Sequence, residues 1–222
     1  MQALARAGAV LYCGGRHGRY VALTFDDGPG PYTARLLRIL ARERARATFF
    51  VVGSRVAVWP RLVATEMRRG AVGNHTWSHP RLASLSRRAV VRELLWTQAA
   101  VVRATDGMRP LLFRPPYGVG TPAESAAVHA LGLVDVRWSV DSRDAFPGAT
   151  PASIVRTVAA ELHPGAIVLL HDNHPATLAA LPRILRVVRR RGLTPVTVPE
   201  LAALDPPSHA QLVPVRPSGR CP

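Results

Sequence analysis

The sequence is poor in several residue types, and their scarcity excludes some functions. It contains no lysine and only two cysteines, and aromatic residues make up 6% of its 222 residues. The basic residues are not interleaved with aromatic ones and no nucleic-acid-binding motif is present, so we expect no nucleic-acid partner. No apolar run reaches the roughly 18–20 residues of a membrane-spanning helix, so we also expect no membrane span.

The two cysteines lie near opposite ends of the chain, at positions 13 and 221. Because the termini of a domain often lie close together, a Cys13–Cys221 disulfide is one interpretation, and it would indicate an oxidising compartment. Two unrelated free thiols are an equal alternative. Neither cysteine neighbours a cluster of His and Asp residues, which argues against a metal-binding or catalytic role for either thiol.

The charge of the chain is strongly positive. Its 29 basic residues, all arginine, outnumber its 14 acidic residues, which gives a formal net charge of +15. Such a charge attracts polyanions, among them the anionic polymers of a cell envelope. The arginines are scattered along helical stretches, so we favour compositional bias over a dedicated polyanion-binding function.

Strand patterns alternate with helix patterns along the chain, with no internal repeat. Helices are predicted at about 31–44, 57–69, 86–105, 121–130, 150–162 and 176–191. The alternation indicates an α/β fold with a parallel sheet flanked by helices. About seven or eight such units favour closure into a (β/α) barrel over an open sheet.

We predict one main domain, at residues 20–204, with a lead-in at 1–19 and a Pro-rich tail at 205–222. The lead-in contains an apolar stretch that is too short and interrupted for a complete signal peptide. It is either the remnant of such a peptide or the approach to the first strand.

The stretch from Val21 to Pro29 is the centre of the predicted site. Its apolar first half reads as a buried strand, and the strand ends at two adjacent carboxylates, Asp26 and Asp27, followed by a Gly-Pro turn. Two like charges side by side are costly unless a cation lies beside them. The pair therefore predicts a metal ion, which requires further ligands.

Candidate ligands follow the other predicted strands. Because sites in parallel α/β folds lie at the carboxyl ends of strands, the polar residues there should converge on one rim. His75 and His79, four residues apart, would point the same way on a helical turn and complete a His-His-Asp ligand set with room for water. The alternative for this pair is two surface histidines in a loop. The polar stretches at these strand ends are Asp26-Asp27, His75 to His79, Arg114 to Tyr117, Asp141 to Asp144, and His171-Asp172.

Four motifs along the chain together resemble those of polysaccharide deacetylases, the NodB-homology domain of carbohydrate esterase family 4. The resemblance covers about residues 20–204 and keeps the order of the motifs. It implies a distorted (β/α) barrel of about seven parallel strands. It also implies metal-dependent removal of acetyl groups from N-acetylated sugars, or from O-acetylated xylan in some members. The motifs are Thr24–Gly28, His75–His79, Arg114–Tyr117 and Leu169–His171.

The resemblance also implies roles for single residues. Asp27, His75 and His79 match the metal ligands. Asp26 matches the general base and Arg114 the arginine that tethers it. His171 matches the general acid, and Asp144, three residues after Asp141, resembles the aspartate that orients it.

Further positions match the substrate pocket. Tyr117 corresponds to the residue whose backbone N–H holds the oxyanion, and Leu169 to a wall of the acetate pocket. The family's aspartate motif usually ends in Trp, but here Ala145 follows Asp144. Either Trp138 or Phe146 fills that space or the pocket is wider or weaker. We therefore expect Tyr117, Leu169, Trp138 and Asp141 to contact substrate.

The resulting hypothesis is a deacetylase of N-acetylglucosamine-containing polysaccharide, peptidoglycan or chitin-like. We rank it above an acetyl xylan esterase and above a catalytically weak glycan-binding module. The expected cofactor is a divalent metal, zinc first, with cobalt and manganese as alternatives. We expect a monomer located in the cell envelope or outside the cell.

Overall fold

The computed structural model describes residues 1–208 and 211–212. Cys221 and most of the predicted tail lie outside the described residues. Within the described part the chain forms nine helices and nine strands. The helices are α1 (Gln2–Arg6), α2 (Thr33–Arg42), α3 (Gly53–Val58), α4 (Pro60–Arg69), α5 (Arg87–Ala104), α6 (Pro122–Ala130), α7 (Pro151–Glu161), α8 (Pro175–Arg190) and α9 (Val198–Leu204). The strands are β1 (Val10–Leu11), β2 (Tyr20–Gly28), β3 (Thr48–Val51), β4 (Ala71–Asn74), β5 (Leu112–Phe113), β6 (Val134–Val136), β7 (Val140–Asp141), β8 (Ile167–His171) and β9 (Thr194–Val196).

The strands form one parallel sheet in the order β1-β6-β5-β4-β3-β2-β8-β7, with β9 also paired to β2. The sheet curls into a half-barrel with helices on its outside, which confirms the predicted fold class. The described residues contain more strands than the seven expected. Three of them, β1, β5 and β7, are only two residues long, and so short a strand leaves little pattern in the sequence.

Strand β2 is buried on both of its faces. Val21, Leu23 and Phe25 pack in the larger core cluster, which also contains the buried residues of α2 and α8. Ala22 points the opposite way, as alternation along a strand requires, and packs in a second cluster built largely from strand residues. This double burial explains the nearly continuous apolar run that precedes Asp26.

The helices largely follow the sequence signals. Ser86 caps α5, because its side chain accepts a hydrogen bond from the N–H of Ala89, and Thr121 forms a capping box with Glu124 at the start of α6. The prediction of a single helix at 57–69 is wrong. The structure has two helices that break at Trp59, since the residue before a proline is disfavoured in helical conformation.

The predicted lead-in contributes regular structure of its own. It contains α1 and β1, and β1 pairs in parallel with β6 at the edge of the sheet. The domain boundaries at residues 20 and 204 stay a prediction. Among the described residues no helix combines the length and apolar character needed to cross a bilayer.

Candidate active site

The two adjacent carboxylates lie at the carboxyl end of β2 and reach the same site. Successive side chains of a regular strand point to opposite faces, so this arrangement needs a local irregularity. The pairing of β2 with β3 shifts register between Asp26 and Gly28, and Asp27 has a left-handed backbone with φ of 71°. The bulge brings both carboxylates to one imidazole: His75 Nε2 lies 3.8 Å from Asp26 Oδ2 and 3.6 Å from Asp27 Oδ1.

Asp27, His75 and His79 form a compact group that could hold a metal ion. Their candidate ligand atoms lie within 4.8 Å of one another, and His79 Nε2 is 3.2 Å from Asp27 Oδ1. His75 Nδ1 lies 2.7 Å from the carbonyl oxygen of Arg114, so its N–H donates there and Nε2 is left as the coordinating atom. One carboxylate and two imidazoles are a donor set that suits zinc and leaves a position open for water.

The segment that carries both histidines is a loop and not the helical turn suggested by their spacing. Thr76 and His79 have left-handed backbones, with φ of 67° and 57°. Glu93 of α5 holds the loop by accepting hydrogen bonds from the N–H groups of Trp77 and Ser78, at 2.9 and 2.8 Å. Sequence reasoning missed Glu93, which lies in an ordinary amphipathic helix pattern.

Asp26 is held by an arginine that water does not reach. Arg114 is 0% exposed, and its Nη1 donates to Asp26 Oδ1 and to Thr24 Oγ1, both at 2.7 Å. The rest of the guanidinium is fixed by backbone carbonyls: Nε donates to Val136 and Nη2 to Arg137, each at 3.0 Å. A charged group that is fully paired in this way fixes the direction of the Asp26 carboxylate.

A second ion pair of the site joins a histidine to a buried carboxylate. His171 ends β8, directly beside Asp26 in the register of the two strands, and its Nδ1 lies 2.7 Å from Asp144 Oδ1. The other oxygen of Asp144 accepts from the His171 N–H at 2.7 Å and from Thr177 Oγ1 at 2.6 Å. Burial by itself would lower the pKa of His171, but the hydrogen bond and charge of Asp144 raise this pKa to about 9.

The electrostatics of the candidate metal group favour coordination. Burial would raise the pKa of Asp27, but the charges of His75, His171 and His79 outweigh it, so the pKa is lowered and the carboxylate is ionised. Burial and the nearby His75 lower the pKa of His79, which keeps its imidazole neutral. An ionised carboxylate and neutral imidazole nitrogens are the forms that bind metals.

An open pocket of about 360 Å³ joins these groups. The four residues predicted to contact substrate all line it, namely Tyr117, Leu169, Trp138 and Asp141. Asp26, His171 and the candidate metal ligands also line it, whereas Arg114 and Asp144 lie behind the wall. Ala145, Trp138 and Phe146 all line the pocket.

Two further residues lie near the site: Asp172, which the sequence analysis named only as part of the strand-end stretch His171-Asp172, and Asn173, which it missed. Asn173 Nδ2 donates to Asp27 Oδ2 at 3.2 Å, so a second side chain orients this carboxylate. Asp172 is 1% exposed and accepts a hydrogen bond from the Thr33 hydroxyl. The only sequence signal for either residue was its position directly after His171.

Backbone strain is concentrated at the same place. Seven residues other than glycine have positive φ within the part of the chain that the structure describes. Four of them surround the pocket: Asp27, Thr76, His79 and Tyr117. Such conformations cost of order 1–3 kcal/mol each and occur mainly where a site requires them.

The site lies at the carboxyl edge of a curled parallel sheet and combines a candidate metal group with a buried carboxylate–arginine pair. These features define the class of protein: an α/β protein with a site suited to metal-assisted chemistry. Residues 14–136 match the profile of the polysaccharide deacetylase family. The chain belongs to that family, which confirms the resemblance seen in the sequence.

Known relatives match most of the chain. A peptidoglycan-N-acetylglucosamine deacetylase of Listeria monocytogenes is 40% identical over 183 residues, which are 82% of this chain and 38% of the relative. The chain thus spans well under half of that protein. A chitooligosaccharide deacetylase of Bradyrhizobium is 39% identical over 200 residues, covering 82% of this chain and 90% of the relative. Among solved structures, a family 4 pseudoenzyme from Bacillus anthracis is 28% identical with a TM-score of 0.82, covering 90% of this chain and 70% of the other.

Proposed function

We propose that this chain is a metal-dependent hydrolase that removes acetyl groups from N-acetylglucosamine-containing polysaccharide of the peptidoglycan or chitin type. Two relatives with about 40% identity carry names of this kind, one for peptidoglycan and one for chitooligosaccharide. The net charge of +15 favours a negatively charged wall as its surroundings. We place the protein in the cell envelope or outside the cell, acting as a monomer.

The observation that carries the proposal is the position of Asp26 and His171. They end adjacent strands in register and line one pocket beside Asp27, His75 and His79. Each has a buried countercharge behind it, Arg114 for Asp26 and Asp144 for His171. A carboxylate and a protonated imidazole that line one pocket are suited to accept and to donate a proton in the same reaction.

The residues present fit a divalent metal. A zinc ion, or cobalt or manganese, held by Asp27, His75 and His79 would supply Lewis acidity toward water and toward the acetyl carbonyl. The second carboxylate, Asp26, is held on Arg114 and is thereby available for proton transfer.

The chain's own groups account for the proton movements. Asp26 takes a proton from the attacking water as its oxygen bonds to the acetyl carbon. The backbone N–H of Tyr117 donates a hydrogen bond to the oxyanion that forms, a contact of the kind that costs roughly 2.7–4 kcal/mol when lost. His171 donates its Nε2 proton to the departing nitrogen, so the C–N bond breaks and acetate and a free amine remain.

A catalytically weak glycan-binding module is the second candidate. Its support is Ala145 at the position where the family usually has Trp, together with the fold shared with a family 4 pseudoenzyme. The intact pairs Arg114–Asp26 and Asp144–His171 count against it, because a module that only binds has no use for a base and an acid.

The test is acetate release by the purified chain from N-acetylglucosamine oligomers and from acetylated xylan. We expect release from the oligomers that a chelator abolishes and that zinc, cobalt or manganese restores. Faster release from xylan would identify an ester hydrolase. Binding of oligomers without chelator-sensitive release from either substrate would support the glycan-binding module and overturn the proposal.

A further inference from the structure

We propose that Arg137 is a positioning residue that holds the oxyanion-binding turn, residues 116–118, in place through its guanidinium group. The inference rests on the proposed function, which assigns the backbone N–H of Tyr117 in this turn to the oxyanion. Arg137 itself does not line the pocket.

The guanidinium of Arg137 is buried and its hydrogen bonds have defined directions. Nε and Nη2 donate to the two oxygens of Asp135, each at 2.7 Å, which is a bidentate pairing that fixes the plane of the group. Nη1 donates to the carbonyl oxygen of Gly118 at 2.5 Å. Arg137 is 7% exposed and Asp135 5%, so water competes little for these bonds.

The turn depends on this support because its own backbone is strained. Tyr117 and Gly118 both have left-handed backbones, with φ of 61° and 67°. Tyr117 is 54% exposed, and its ring contacts the His79 ring at a centroid distance of 4.8 Å and the Arg81 guanidinium at 4.6 Å. The turn meets Trp138 so closely that a Cβ added at Gly118 would lie 2.4 Å from its ring. The hydrogen bond to the carbonyl of Gly118 is therefore the contact through which the buried Arg137 guanidinium holds the turn.

The same residue also joins the turn to the base. The carbonyl oxygen of Arg137 accepts a hydrogen bond from Arg114 Nη2 at 3.0 Å, and Arg114 Nη1 binds Asp26. One residue thus supports the base through its backbone and the turn through its side chain. A shift of the guanidinium would displace the Tyr117 N–H relative to Asp26 without changing the metal ligands.

The surroundings favour arginine over lysine at this position. Nη2 of Arg137 also lies 3.1 Å from Glu124 Oε1, so three acceptors surround one planar group. Burial and the charge of Asp135 raise the pKa of Glu124 to about 8 although Arg137 lowers it. Near pH 7 Glu124 is then mostly neutral, and the guanidinium keeps its two hydrogen bonds to the Asp135 carboxyl oxygens. A lysine ammonium is a point charge that cannot match both Asp135 oxygens and reach Gly118 in one plane.

The experiment compares Arg137→Lys, which keeps the charge, with the double variant Arg137→Met/Asp135→Asn, which removes the guanidinium together with the carboxylate that pairs with it in a bidentate manner. Arg46→Met is the matched control, because Arg46 forms an exposed ion pair with Glu200 at 3.2 Å. Three quantities are measured: steady-state kinetics of acetate release, zinc affinity, and hydrogen–deuterium exchange of peptides that cover residues 115–121. Thermal melts verify that each variant is folded. If the double variant does not fold, Arg137→Lys alone provides the test.

We expect kcat to fall by about 10- to 100-fold with KM within about twofold of the parent, because a misplaced oxyanion donor acts mainly in the transition state. Zinc affinity stays unchanged and exchange at 115–121 becomes faster. The inference is overturned if kcat stays within about twofold of the Arg46→Met control, or if exchange at the turn does not change. If the parent chain releases no acetate, the proposed function fails, and the exchange measurement alone still decides whether Arg137 holds the turn.

Discussion

Two ion pairs at the pocket have their charges oriented in opposite ways: Asp26 with Arg114, here called the β2 wall, and His171 with Asp144, here called the β8 wall. On the β2 wall, the anion Asp26 faces the pocket and a cation, Arg114, is buried behind it. On the β8 wall, the cation of His171 faces the pocket and an anion, Asp144, is buried behind it. Each ion pair has a shortest N···O distance of 2.7 Å, so geometry alone does not distinguish them.

The difference lies in which cation can lose its charge. Arginine stays protonated throughout the pH range of proteins, so the β2 wall has a permanent cation. The β8 wall depends on the pKa of His171, which Asp144 raises to about 9. We therefore expect the pH dependence of the reaction on its alkaline side to originate from the β8 wall.

Asp26→Asn tests the β2 wall and should have the largest effect. Asparagine keeps the shape but cannot accept the proton of water, and general bases contribute about 10²–10⁴-fold in rate. We expect kcat to fall by roughly 10³-fold or more, with bound metal retained in elemental analysis. Asp106→Asn, at an exposed acid, is the control. Loss of metal in Asp26→Asn would contradict the division of roles between Asp26 and Asp27.

Asp144→Asn tests the β8 wall. Without the anion the pKa of His171 falls, so the protonated acid is lost at lower pH. In the parent we expect activity to decline only as pH approaches about 9. The variant should lose about 10²-fold in kcat, and its alkaline limb should move to lower pH. A pH–rate profile of kcat measures both, and an unshifted limb would show that another group controls it.

Ala145→Trp alters the shape of the β8 wall without touching its charges. The new ring would narrow the pocket, which Trp138 and Phe146 also line. We expect the preference for acetyl over propionyl groups, measured as a ratio of kcat/KM values, to rise by about tenfold, since one methylene is worth about 10–200-fold in a tight pocket. Phe146→Ala, which widens the same wall, should shift the ratio the other way. An unchanged ratio in both variants would mean that the acyl group lies elsewhere.

Glu66→Met tests how much a buried carboxyl lowers the free energy of unfolding when it has no countercharge among the described residues. Glu66 on α4 is 0% exposed, and neither of its oxygens has a hydrogen-bond partner among the described residues. Burial, with a smaller effect from Asp172, raises its pKa well above 4.5. The folded chain therefore holds a proton that the unfolded chain has released, and the free energy of unfolding falls as pH rises above the unfolded pKa.

Replacing the carboxyl by an apolar side chain of similar size removes this dependence. We expect a higher Tm for Glu66→Met, by about 2–4 °C for each kcal/mol gained, with the gain larger at pH 8 than at pH 5. Glu161→Met, at an exposed glutamate of α7, is the control. A gain that does not change with pH would show that proton binding by Glu66 is not the cause.

Much of the site could be predicted because its residues follow strands directly in the sequence. Asp26, His171 and Arg114 end or follow β2, β8 and β5, and the rule that parallel strands carry their sites at the carboxyl ends is enough to bring them together. The His75–His79 spacing indicated a shared ligand set, although the helical turn inferred from it was wrong. A spacing of four fits a turn of helix as well as a loop with two left-handed residues.

The residues that were missed act through contacts between distant segments. Asp135 lies on β6 and Arg137 directly follows this strand, but their partners Gly118 and Glu124 lie in a turn and a helix whose approach no local pattern reveals. Glu66 was missed for a different reason. A glutamate in a helix normally reads as exposed, yet Glu66 lies three residues after the buried Val63, on the same face of α4.

The left-handed residues around the pocket have a consequence for transferring this site to another protein. Asp27, Thr76, His79 and Tyr117 place their groups where an ordinary strand or helix end would not. Copying the side chains onto a relaxed scaffold would therefore scatter the candidate metal ligands and the proposed oxyanion donor. A design that reproduces these four backbone conformations first, even with glycine in place of Thr76, has the better starting point.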